Sequence, residues 1–157
     1  MKFAAFAAAL ALACAAGHAQ TAAQTARTNP LAAARVFHYS QMTPHTARNG
    51  AVGRNVFTGT LATGESVGVH ETMQPAGTVP NPPHRIHHSE IIFIQQGTLE
   101  FDHDGKAEHA GTGSILYVSY GTLHTVKNMG PGPVKYVVIQ IGGDTKAASP
   151  SASPRNR

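Results

Sequence analysis

Short apolar runs broken by turn-forming residues set the rhythm of this chain. β-prone stretches rich in Val, Ile, Thr, Phe and Tyr fall at 36–39, 55–60, 66–73, 89–95, 98–103, 114–118, 124–127 and 134–141. Gly50, Gly64, Gly77, Gly97, Gly105, Gly121 and Gly130 punctuate them, and Asp104-Gly105 is a hairpin turn signal after the run that contains Leu99 and Phe101. Beyond the N-terminal segment, helix is expected for no more than a turn or two around 30–35. Strands this short and this evenly spaced predict an all-β sandwich or barrel. With hardly a helix present, no glycine-rich loop leads into one, which argues against a phosphate-cradling nucleotide site.

The ends of the chain read differently. Lys2 followed by an Ala- and Leu-rich run to Ala16, then Gly17-His18-Ala19, has the form of a secretory signal peptide over 1–19, with cleavage expected before Gln20. The apolar run is short for a membrane span, so the mature chain is expected to be periplasmic or secreted and off the membrane. Cys14, the one cysteine, fits a lipoprotein signal poorly and leaves with the signal, so disulfides contribute nothing to stability. Residues 20–34 lack apolar periodicity and read as a disordered linker, and 144–157, rich in Ser, Ala and Pro, as a disordered tail. One domain over 35–143 remains. The chain has 157 residues, 41% of them hydrophobic and 13% charged, which supports one buried core. The net charge of +4 comes from scattered basic residues with no stripe for nucleic acid.

The chemistry concentrates in Pro82-Pro83-His84-Arg85-Ile86-His87-His88-Ser89-Glu90, where three histidines and a carboxylate lie within seven residues. Strand alternation puts His84, Ile86, His88, Glu90, Ile92 and Ile94 on one side, and the Cα atoms of His88 and Glu90 about 6.6 Å apart, within reach of one ion. His84 would lie about 20 Å from Glu90 along a straight strand, so it joins the same ion only if the backbone bends near His87. His124 follows a glycine turn further on. His38, His45, His70, His103 and His109 stand in no such context and read as surface or strand histidines.

The stretch from His84 through Glu90 to Gly97, and that from Gly113 through Gly121 and His124 to Asn128, resemble the two sequence motifs of the cupin superfamily. Glu90 and Gly97 keep the family's six-residue spacing, and Gly113, Gly121, His124 and Asn128 fall at matching positions. Two positions depart: Ile86 stands where the family has its second histidine, and Ser119 where it has a proline. The resemblance implies a small double-stranded β-helix, a cupin-type jelly-roll barrel. It also implies one divalent transition metal (Fe, Mn, Ni, Cu, Co or Zn) held by His84, His88, Glu90 and His124. In that set His87 replaces His88 if the bend shifts the alternation, and a three-ligand site of His88, Glu90 and His124 is the alternative. The implied activity is dioxygenase or isomerase chemistry on a small organic substrate, against a non-catalytic barrel that binds a small molecule or metal. Exposed strand edges would allow a homodimer.

Overall fold

The computed structural model describes residues 29–145. The signal peptide expected over 1–19, the linker up to residue 28 and the tail from residue 146 lie outside them. Residues 29–35 belong to a unit of their own. There Asn29 accepts from the Leu31 amide on its side chain (3.1 Å) and from the Ala32 amide on its carbonyl (3.1 Å), one Asx-type turn where a turn or two of helix is expected.

The second unit starts at Val36 and is almost wholly β. After a 3-10 turn, Tyr39–Gln41, come β1 (Pro44–Thr46), β2 (Val52–Thr60), β3 (Ser66–Gln74), β4 (His84–Arg85), β5 (Ser89–Gln96), β6 (Thr98–His103), β7 (Lys106–Gly111), β8 (Ile115–Val118), β9 (Leu123–Asn128) and β10 (Val134–Ile141). They form two antiparallel sheets, β1-β2-β3-β10-β5-β8 and β4-β9-β6-β7, the jelly-roll arrangement of a double-stranded β-helix.

The core lies on the facing sides of the sheets. On β5 the inward residues Glu90, Ile92 and Ile94 are buried, and Phe93 on the outer face is exposed. Ile94 meets Leu99 and Phe101 of β6, Leu116 and Val118 of β8, and Val134, Tyr136 and Val138 of β10 in one apolar cluster. Gly97 takes φ +84° at the tight turn into β6, and a Cβ there would stand 2.8 Å from the Pro133 carbonyl oxygen, so only glycine fits.

Asn128 is the buried staple between loops. Its amide nitrogen donates to the carbonyls of Gln74 (3.0 Å), Pro75 (3.1 Å) and Gly132 (2.9 Å), and its Oδ1 accepts from the Gly130 amide (2.9 Å). Replacing Asn128 by Ala strands those groups, and we expect a loss of about 2–3 kcal/mol, read by urea denaturation.

Three differences from the sequence reading share a cause. β1, β4 and β7 are not among the expected runs, and all three are edge strands. Pro44 opens β1 and Pro82-Pro83 precede β4, tolerated because an outer edge needs no amide on one side. β7 follows the expected Asp104-Gly105 turn but is mostly exposed and polar. The run at 36–39 is the reverse case: Phe37 packs against Phe57 in a tilted pair, 4.6 Å between ring centroids, and the backbone turns at Tyr39 instead of pairing.

Candidate functional site

Between the sheets lies a cavity of about 290 Å³. Its walls come from β3 (His70, Thr72, Gln74), β5 (Glu90, Ile92) and β10 (Tyr136, Val138, Gln140) on one side. His84 of β4 and His124 and Val126 of β9 line the other, with His45 of β1 and Asn49 also on the wall.

A bend near His87 is present, and it places His84 beside His124. The chain leaves β4 in one sheet, bends at His87 and His88, and enters β5 in the other sheet. The straight-strand separation therefore does not apply, and His84 pairs with His124 across the β4–β9 ladder, their rings 4.7 Å apart. Ile86 is buried in the apolar cluster, so the side chain at the second-histidine position fills the core and does not line the cavity.

Glu90 is held from one side. Its Oε1 takes His88 Nε2 at 2.9 Å and Gln140 Nε2 at 3.2 Å, and its Oε2 faces His124 Nε2 at 3.7 Å. His124 Nδ1 lies 3.2 Å from the Thr122 carbonyl and His84 Nδ1 3.3 Å from the Pro82 carbonyl. A carbonyl can only accept, so each Nδ1 carries a proton, and in the neutral ring that tautomer leaves the lone pair on Nε2. Burial pulls His124 below its ordinary value, which favours that neutral form.

His88 has other partners than those expected of a ligand. Its Nδ1 contacts Asp144 Oδ1 at 2.6 Å and its Nε2 contacts Glu90, so each ring nitrogen is engaged by a carboxylate oxygen, and His88 is not on the cavity lining. His87 is exposed and stacks on Tyr120 at 5.8 Å. Burial pulls the His88 value down, but the hydrogen bonds to Glu90 and Asp144 outweigh it, and the value ends above the ordinary 6.5. A raised folded value means that the His88 contribution to stability is complete below about pH 6.5 and is lost as pH rises through the raised value. In chelator-treated protein, the stability gap between parent and His88→Gln should therefore shrink as pH rises above about 6.5, measured by urea denaturation at each pH.

The sequence reading missed three cavity residues. His70 lines the wall from β3, and burial lowers its value. His45 lies flat across Gly53 of β2, where a Cβ would overlap its ring. Tyr136 receives Gln74 Nε2 on its hydroxyl at 3.0 Å, and burial pushes the phenol up to about 12. A signal for His70 was present: the inward positions of β3 are Gly68, His70, Thr72 and Gln74, a face with no large apolar residue.

Whether these residues fit a metal turns on donor chemistry and spacing. Among the described residues no three His, Cys, Asp or Glu side chains already form a ligand cluster. His84, Glu90 and His124 nevertheless bring two imidazole Nε2 atoms and a carboxylate oxygen to one cavity, the histidines on one wall and Glu90 on the facing one. Two ligands about 2.1 Å from one ion at tetrahedral to trigonal angles stand about 3.4–3.6 Å apart. The 3.7 Å between Glu90 Oε2 and His124 Nε2 is close to that span, and the donor set fits.

Comparison with known proteins agrees with this architecture. The cupin domain family model matches residues 69–140. Among solved structures, an RmlC-like cupin from Shewanella frigidimarina aligns with TM-score 0.60 at 12% identity, over 71% of this chain and 94% of that one. KdgF from a Halomonas species aligns with TM-score 0.59 at 15% identity, over 69% and 94%. The polyketide cyclase RemF from Streptomyces resistomycificus aligns with TM-score 0.54 at 15% identity, over 75% and 89%. No curated protein sequence matches the chain. The cupin-domain match over residues 69–140, the two motifs and the shared fold support the cupin superfamily as the family of this barrel.

Proposed function

We propose that this chain is an exported cupin that holds one divalent transition metal ion on His84, Glu90 and His124 and acts on a small oxygenated organic molecule in the adjoining cavity. The observation that carries the reading is the 3.7 Å approach of Glu90 Oε2 to His124 Nε2 across a cavity that His84 also lines, with the Nδ1 of each histidine turned to a backbone carbonyl. Fe, Mn, Co, Ni, Cu or Zn suits two imidazoles and a carboxylate, and such an ion, when bound, polarises a substrate oxygen or supports dioxygen chemistry.

The remaining residues define the substrate class. Among the described residues the cavity wall has no Lys or Arg, so it offers no fixed cation for a phosphate. His70, Asn49, Thr72 and Gln140 offer neutral hydrogen-bonding groups with His45 beside them, and Ile92, Val126 and Val138 supply apolar wall. That lining favours a compact hydroxylated or carbonyl compound. Tyr136 stays a phenol near neutral pH, held by Gln74, and can donate to such a ligand without changing charge.

Mature protein reconstituted with each ion, incubated with panels of small hydroxy and keto compounds with and without dioxygen, tests the proposal. Oxygen uptake and substrate loss by NMR are the readouts. Turnover that vanishes on chelation and in His124→Ala is expected. Binding without turnover makes the barrel a binding module, and neither binding nor turnover with any ion overturns the reading.

A further inference from the structure

The tail was expected from residue 144, yet Asp144 and Thr145 reach back into the site. Gly142 and Gly143 both take left-handed conformations, φ +71° and +57°, and reverse the chain. The Gly142 amide donates to the Ser66 carbonyl (2.7 Å) and the Asp144 amide to the His87 carbonyl (3.0 Å). A Cβ on Gly143 would overlap the His87 carbonyl oxygen, so the strap lies directly on the bend that precedes β5. Thr145, 5% exposed, stands where a side chain on Gly68 of β3 would project.

This geometry sets the Asp144 carboxylate on the outer nitrogen of His88, whose inner nitrogen holds Glu90. We propose that Asp144 and His88 form a positioning pair that fixes the Glu90 carboxylate, turning Oε2 toward His124, so that the start of the C-terminal segment is part of the site. The inference rests on the metal reading above for its consequence but not for its geometry. A carboxylate rotates about its last bond at little cost. Glu90 is stopped by two donors on Oε1, and His88 is itself stopped by Asp144. An Asp behind a histidine that grips a ligand is an outer-sphere orienting arrangement, and loss of such a partner lowers metal affinity about 10–100-fold.

The test uses Co²⁺ alone as probe, with full mature protein and the variants Asp144→Ala, Asp144→Glu, His88→Ala and His124→Ala. Chelator competition measures affinity, and the Glu90 side-chain carboxyl carbon is followed by NMR in metal-free protein. Asp144→Ala is expected to weaken Co²⁺ about 10–100-fold and to shift the Glu90 carboxyl signal while metal-free melting stays near the parent's. Asp144→Glu restores most of both. A purely structural strap would move melting and leave the carboxyl signal in place, which overturns the proposal, as does parental Co²⁺ affinity in Asp144→Ala. If His88→Ala loses all binding as His124→Ala does, His88 is itself a ligand and the pair is wrong. If the parent takes no Co²⁺, the metal reading fails and the Glu90 signal alone decides: shifted in Asp144→Ala, the pair stands; unshifted, it falls.

Discussion

Gly143→Ala should cost about 3–4 kcal/mol of stability, while Gly142→Ala, one residue earlier, should cost about 1 kcal/mol. Both glycines have positive φ, so both substitutions carry the strain of a left-handed alanine. The difference is space. Nothing lies within 4 Å of a Cβ at Gly142, whereas one at Gly143 would overlap the His87 carbonyl oxygen and come within 3.0 Å of the His88 Cα. Backbone cannot yield as a side-chain tip can, so the strap must lift, and the Asp144 amide bond to His87 and the cover of Thr145 over Gly68 go with it. Urea denaturation of the two variants without metal separates the outcomes. Equal losses would mean that the strap is peripheral and its contact with the β4–β5 bend unimportant.

Ile86→His, which restores the histidine that the cupin motif has at this position, should destabilise the barrel by about 3–5 kcal/mol and leave metal affinity no tighter. The Ile86 side chain is 6% exposed and packs in the apolar cluster, and the Gly121 amide pins its carbonyl at 2.9 Å. An imidazole there forfeits about 1.5–3 kcal/mol of apolar burial and leaves ring nitrogens without partners at a further 1–3 kcal/mol. Denaturation and a Co²⁺ titration read the two halves of the prediction. Tighter binding at unchanged stability would place side chain 86 in the site and contradict the packing described above.

Ile86 also shows why the motif alone could not specify the ligands. Spacing identified Glu90 and His124, because the family's glycine positions fix the turns that bring those two residues inward. It could not show that the bend at His87 and His88 carries the chain from one sheet to the other, bringing His84 to His124 and turning His88 toward Asp144. Asp144 itself carries no sequence signal: it follows two glycines in a Ser- and Ala-rich stretch, and only tertiary contact gives it a role. The same division runs through the fold. Buried strands such as β5 and β10 announce themselves through apolar residues on the inward face, whereas β1, β4 and β7 are defined by hydrogen bonding at sheet edges, where polar residues and nearby prolines cost little. His70 was readable in principle, since β3 presents Gly68, His70, Thr72 and Gln74 inward, and a polar inward face lines a cavity.

The central claim is a single metal ion on His84, Glu90 and His124. Elemental mass spectrometry of mature protein purified without chelators, beside His124→Ala and His88→Gln, tests it most directly. About one equivalent of a transition metal in the parent, none in His124→Ala, and a retained but weaker-held ion in His88→Gln is the predicted pattern. A parent that carries no metal, even after reconstitution with each ion, would contradict it.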